Sequence, residues 1–246
     1  MDEKLNQWYE LIDAISDAVN ETDESKKLIV TDGVIDEVQF RKVGVMFLLK
    51  EAVKSGLKKE EFKSYFKQEA AFDYIDLCSI AKQQAFKQIG TRPKHWKELC
   101  YWLAAYEDNN IKFSDAIEKC GGNLAKVAIV NIKKVAGLSS TNVENLNRYV
   151  SNVSYKRLLK EQIESIRPKI VMCCGTFEQA KNLFDIKFSQ VLQLKCGVSY
   201  FECANAGENI IFIEFIHPSS YMIRDAMKFA FAKEVFNELS SMSITR

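Results

Sequence analysis

Histidine and proline are scarce in this chain, with 2 His, 3 Pro and 10 Gly among 246 residues. His95 and His217 are too few to complete a zinc site, and the seven cysteines, at positions 78, 100, 120, 173, 174, 196 and 203, contain no C-x-x-C pair. A zinc or iron–sulfur centre is therefore not expected, and the odd count reads as reduced, buried thiols. No stretch reaches the roughly 18 to 20 continuous apolar residues of a membrane span, and the opening MDEKLNQWYE is not a signal peptide. The expectation is a cytoplasmic protein with no membrane, metal or cofactor. Neither charge sign dominates: 34 Lys plus Arg stand against 33 Asp plus Glu, so net charge leaves a polyanionic partner undecided. Lys54, Lys58, Lys59, Lys63 and Lys67 cluster, as do Lys126, Lys133 and Lys134; the first cluster reads as a solvated helix face.

What is plentiful is apolar surface, 47% of residues, enough for one well-filled domain or one with an elaboration. Four apolar runs of strand length, Val43 to Leu49, Leu124 to Val130, Lys169 to Cys174 and Ile210 to Ile216, are separated by segments of helical periodicity. The last is interrupted only by Glu214, the pattern of a strand covered on both faces, as in parallel sheets. Gln190 to Lys195 and Val198 to Cys203 read as a hairpin about Cys196-Gly197. Helices are expected at Leu5 to Val19, Asp36 to Arg41, Glu60 to Gln68, Phe72 to Ile89, Lys94 to Tyr106, Thr141 to Tyr149, Ser154 to Ile166 and Ser220 to Leu239. Ser154 reads as a cap, Asp32-Gly33 as a turn, and no strand is expected between residues 52 and 123. The predicted fold class is α/β: a three-layer α/β/α domain over residues 1–246, with a central, mainly parallel sheet of about four core strands. Residues 1–42 form an N-terminal helical extension and 53–122 a helical insertion.

Each predicted strand surfaces in residues with chemistry. The first ends in Lys50-Glu51, which reads either as two solvated charges or as a carboxylate and an ammonium aimed into a cleft. The second ends in Asn131-Ile132-Lys133-Lys134; an Asn here either caps the next turn or presents an acceptor and donors to a nucleobase edge. The third leads through Gly175-Thr176 into a helix, which suits either close strand-to-helix packing or a phosphate. The fourth stops at His217-Pro218, where proline forces extended backbone on the preceding residue and delivers the imidazole at the strand end. Ligands of open α/β sheets bind at that edge.

The order and spacing of AIVNIKK (128–134), IESIRPKIVMCCG (163–175) and FIHPS (215–219) resemble the uracil-DNA glycosylase superfamily from about Val43 to the C-terminus. The resemblance implies that Asn131 reads a flipped base and that His217 donates a hydrogen bond to it as negative charge develops. It implies that Ser219, Ser220, Tyr221 and Met222 form a loop that enters the minor groove, with Tyr221 or Met222 as the wedge that offsets unstacking. Arg224, the amides at Gly175 and Thr176, and the lysines Lys133 and Lys134 are the implied DNA contacts. The first motif departs from the family's Gly-rich Asp-Pro or Asn-Pro segment, since Lys50-Glu51-Ala52 stands there. Glu51 is then the candidate to activate water, Lys50 has an electrostatic role, and Phe72 is the candidate stacking platform. The substrate base is left open, uracil included. The implied protein is a monomeric glycosylase acting on DNA; the altered first motif and the helical insertion extend the expectation to a modified base, as in invading phage DNA, and a role in defence, and the alternative is a non-catalytic nucleic-acid or nucleotide-binding module.

Overall fold

A computed structural model describes residues 2–18, 28–29, 32–34, 36–50, 57–58, 94–118, 126–135 and 143–242. Seven strands form one sheet: β2 (Gly33–Val34), β3 (Val45–Leu49), β5 (Ala128–Asn131), β6 (Ile170–Cys174), β7 (Leu192–Gln193), β8 (Ser199–Asn205) and β9 (Glu208–Phe215). Their order is β2-β5-β3-β6-β9-β8-β7. The four expected core strands β5, β3, β6 and β9 are parallel neighbours, while β2, β8 and β7 add antiparallel edges.

The helices are α1 (Asp2–Ala18), α2 (Glu37–Val43), α3 (Lys94–Glu107), α4 (Phe113–Glu118), α5 (Val143–Ser151), α6 (Val153–Ile166), α7 (Phe177–Leu183) and α8 (Asp225–Ser241). They cover both sheet faces, which is why β3 and β6 are buried along their whole length and read as unbroken apolar runs. Successive residues of a strand point to opposite faces, and the two cores follow that alternation. Met46, Leu48, Val130, Val171 and Phe212 join one core with Ile12, Tyr149, Leu159 and Ala180 from α1, α5, α6 and α7. Phe47, Ile129, Met172 and Ile213 join the other with Trp102, Leu103, Phe229 and Phe236 from α3 and α8. The result is a three-layer α/β/α architecture.

Several local expectations are corrected. A two-residue strand β4 (Leu57–Lys58) pairs antiparallel with β1 (Leu28–Ile29), so the stretch between residues 52 and 123 contains a strand. The cap of α6 is Asn152, whose side chain accepts from the Tyr155 amide, rather than Ser154. Helix α2 runs to Val43 and β3 begins only after Gly44, whose left-handed backbone (φ 71°) terminates the helix. A Cβ on Gly44 would approach Lys169 Cγ to 2.8 Å, so glycine is required there twice over. Helix α8 begins at Asp225 rather than at Ser220, which leaves residues 217–224 as a loop. The helices expected at 60–68 and 72–89 lie outside the described residues, as do Glu51 and Phe72. Burial pushes the Cys173 and Cys174 thiols well above their ordinary range, as expected of unreactive core thiols. Among the described residues no helix is long and apolar enough to cross a membrane.

Candidate functional site

From β3 the chain next joins this sheet at β5 on one side, and from β6 it continues through β7 and β8 to β9 on the other. The carboxyl ends of β3 and β6 therefore flank the topological switch point, where an open α/β sheet leaves a crevice for ligands. Lys50 and Gly175 emerge at this crevice, and Asn131 and His217 emerge on the strands flanking it. Residue register keeps the four within two residues of one another along the strands: Leu49 pairs with Asn131, and Cys174 with Phe215.

Lys50, Gly175 and His217 are brought together. A Cβ placed on Gly175 would lie 3.1 Å from Lys50 Cε, 3.6 Å from Lys50 Nζ and 3.5 Å from His217 Cβ. The glycine, at φ 67°, thus leaves room for the lysine stem near the His217 Cβ. Its amide donates to the Phe215 carbonyl at 2.9 Å, tying β6 to β9 just before His217. Thr176 is buried and its hydroxyl donates to the Leu48 carbonyl at 2.8 Å. That side chain ties β6 to β3, while the phosphate contact expected here is one of the backbone amide, which this bond does not occupy.

His217 sits in a tight turn in which the Ser220 amide donates to the His217 carbonyl at 2.9 Å. The Ser219 amide reaches His217 Nδ1 at 3.3 Å, and Ser219 Oγ reaches it at 2.7 Å. A backbone N–H can only donate, so Nδ1 is the acceptor and the neutral ring carries its proton on Nε2, as a hydrogen-bond donor requires. Beneath the turn, Lys228 Nζ donates to the Pro218 carbonyl at 3.0 Å and to both Glu98 carboxylate oxygens at 2.8 Å. Lys228 is 0% exposed and Glu98 1%. Burial pushes the Glu98 carboxyl above its ordinary value, with Lys228 pulling against it. The pair joins α3 to α8 and holds the His217 turn between them.

Asn131 is held by a second buried network. Its amide donates to Asp32 Oδ2 at 2.6 Å and its Nδ2 at 3.2 Å. Lys134 Nζ reaches the same carboxylate at 2.7 and 2.8 Å, and Gln162 Nε2 reaches it at 2.9 Å. Tyr155, whose phenol burial pushes well up and keeps neutral, donates to the Ile132 carbonyl and accepts from the Lys134 amide. With Asp32 fixing one end of the Asn131 amide, Oδ1 is left buried and without a hydrogen-bond partner among the described residues. The side chain does not cap the following turn; it presents an acceptor.

The other expected contacts separate into two groups. Tyr221 and Met222 are 88% and 82% exposed on the loop after His217, and Ser219 and Arg224 are exposed beside them, with Ser220 half-buried. Lys133 and Lys134 are instead buried, and Lys134 is paired with Asp32, so the expectation of surface phosphate contacts by these lysines is corrected. Asp32, Gln162, Glu98 and Lys228 were not singled out in the sequence, yet they hold Asn131 and the His217 turn in place.

No protein-family model matches the chain. Over 72 residues it is 31% identical to the type-4 uracil-DNA glycosylase of Archaeoglobus fulgidus, a stretch covering 28% of this chain and 35% of that protein. The chain thus spans about a third of the length of the curated relative it matches. The similarity is distant and partial, and it supports a relationship at the level of the superfamily.

Proposed function

We propose that this chain is a DNA glycosylase that flips a damaged or modified base out of the duplex and hydrolyses its N-glycosidic bond. The observation that carries the reading is Asn131, whose carboxamide is anchored by Asp32 so that a buried, unpartnered acceptor stands at the carboxyl edge of the sheet. A buried polar atom without a partner carries a desolvation penalty of about 1–3 kcal/mol, which a ligand N–H relieves. A flipped base offers such a donor on its pairing edge. The likeness to an archaeal uracil-DNA glycosylase supports the same reaction class.

The chemistry builds negative charge on the leaving base and positive charge on the sugar. His217, as the Nε2–H tautomer, serves as donor to the base, and the Lys50 ammonium beside it adds electrostatic stabilisation. Glu51 orients or deprotonates the attacking water, and Phe72 stacks on the base. Tyr221 or Met222 enters the minor groove and fills the vacated stack, with Ser219 and Ser220 shaping the loop; Arg224 and the Thr176 amide meet phosphates, the Gly175 amide being engaged by the Phe215 carbonyl. The functional unit is the whole chain, 1–246, as a monomer, with 53–122 as an insertion in it. The Lys50-Glu51 ending of β3 favours an unusual base, such as a bulky modified cytosine of invading phage DNA, and a role in defence.

The test is incubation of the protein with duplexes carrying uracil, mismatched thymine or modified cytosines, followed by detection of abasic sites. Base release lost in Asn131→Ala and in Glu51→Gln is the expected result. Release unchanged in both variants refutes the assignments, and binding of every duplex without product replaces the enzyme with a non-catalytic module.

A further inference from the structure

The product of base excision is an abasic deoxyribose, whose ring-opened form carries an aldehyde at C1′. Lysine amines form Schiff bases with such carbonyls. Three lysines lie at the carboxyl edge of the sheet, and their surroundings differ. Lys134 is bound to Asp32, and Lys133 is buried at 4% exposure. Lys50 is half-buried, leaves β3 directly at the topological switch point, and is engaged by no carboxylate among the described residues. Its Cε and Nζ run alongside Gly175, which has no side chain to block them, with the His217 Cβ next to the same glycine. A sugar attached to a base held between Asn131 and His217 has its C1′ in this crevice.

We infer that Lys50 is a nucleophile toward the abasic sugar and that the protein has a second, DNA-lyase activity. This rests on the glycosylase reading, because that reading places the sugar beside Lys50. The Lys50 amine attacks the C1′ aldehyde, forming the C–N bond; one amine hydrogen and one proton from solvent leave with the carbonyl oxygen as water. The iminium so formed acidifies C2′–H. Loss of that proton to water and cleavage of the C3′–O bond release the 3′-side strand with a 5′-phosphate. Hydrolysis of the imine consumes one water, returns the lysine amine and leaves an α,β-unsaturated aldehyde on the 5′-side strand. No oxidant or reductant is required.

The experiment uses the full chain and a duplex with one pre-formed abasic site, so that base release is not needed. In sodium borohydride the imine is reduced and trapped, and a covalent protein–DNA complex is expected on a denaturing gel; without borohydride, a nick with the two ends described above. Tryptic mass spectrometry of the trapped wild-type complex is expected to locate the adduct on Lys50. Lys50→Met and Lys50→Arg abolish the complex, whereas exposed Lys195→Met retains it. Absence of a trapped complex in the wild-type protein, an adduct on another amine, or wild-type yield in folded Lys50→Arg overturns the inference. Abasic sites made from a modified-base duplex without any trapped complex refute the lyase and leave the glycosylase. A Lys50 adduct on the pre-formed site with no release from any base retains the lyase and removes the glycosylase.

Discussion

Replacing Lys228 with methionine tests how the His217 turn is held. The substitution keeps the apolar stem of the side chain and removes an ammonium that donates to both Glu98 oxygens and to the Pro218 carbonyl. What remains is a carboxylate at 1% exposure with its cation gone. Breaking a buried ion pair by deleting one partner costs about 3–5 kcal/mol, because the survivor is left buried and uncompensated. Against a total stability of about 5–15 kcal/mol for a domain, that loss is readily measured as a lower urea midpoint at unchanged slope, followed by far-UV circular dichroism. The loss also has a predicted pH dependence. In the wild-type protein the folded Glu98 already holds its proton more tightly than the unfolded chain does, because burial outweighs the pull of Lys228. Deleting Lys228 removes that pull and raises the folded value further. A raised folded pKa favours the folded state at low pH and loses that advantage as pH rises, so the penalty of Lys228→Met is largest at neutral pH. It shrinks as pH falls toward the ordinary carboxylate range, about 4.3. A loss below about 1 kcal/mol, or one of equal size at about pH 5 and about pH 8, refutes the reasoning. Combining Lys228→Met with Glu98→Leu separates stability from positioning. An apolar pair in place of a buried ion pair is often neutral or stabilising by about 1–4 kcal/mol, so most stability returns. Base release is expected to stay low in the double variant, since the Pro218 carbonyl still lacks its donor; full recovery of both removes the positioning role.

Asp32→Ala leaves Lys134 buried without its carboxylate and frees the Asn131 amide, so a loss of about 3–5 kcal/mol is expected, together with weaker binding of base-containing duplex in filter assays. Gly175→Ala places a methyl 3.1 Å from Lys50 Cε at φ 67°, and about 1–2 kcal/mol of backbone strain is expected in chemical unfolding, with base release reduced more than fluorescence-measured duplex binding. Tyr221→Ala and Met222→Ala change stability by less than about 0.5 kcal/mol because both side chains are exposed, and they weaken duplex but not single-strand binding. Equal effects on both DNA forms count against the wedge.

The strands were legible because helices cover both sheet faces, which turns VMFLL and IVMCC into unbroken apolar runs. The strand ends followed, since Asn131 and His217 close those runs. The residues that orient them were not singled out, for two physical reasons. Asp32 lies in a short polar segment where an Asp-Gly pair signals a turn, and nothing local reveals that the chain returns it to Lys134, 102 residues away. Lys228 and Glu98 carried a signal of a different kind. Lys228 falls on the same helical stripe as the buried Ala232, Val235 and Leu239, and Glu98 lies one turn before the buried Trp102. A charge at a core spacing calls for a partner, and the two such positions partner each other across α3 and α8. Lys133 and Lys134 misled in the opposite sense, because a basic pair after a strand reads as surface until its burial is known.

These two networks give the site a consistent mechanical logic. Asn131 is fixed from one helical layer, through Asp32, Lys134 and the α6 residue Gln162. The His217 turn is fixed from the other, through Lys228 on α8 and Glu98 on α3. Each of the two groups proposed to meet the base is thereby locked by a buried ion pair whose rupture is costly, as preorganised recognition requires. Between them, at the ends of β3 and β6, stand the two positions without such a lock: Gly175, which has no side chain, and Lys50, whose amine is engaged by no carboxylate among the described residues. On the proposed reading, a rigid pair of groups for the base flanking an adaptable amine separates recognition of the base from attack on the sugar. Accordingly, Asp32→Ala and Lys228→Met are expected to impair base release far more than Schiff-base trapping on a pre-formed abasic site, where no base has to be held.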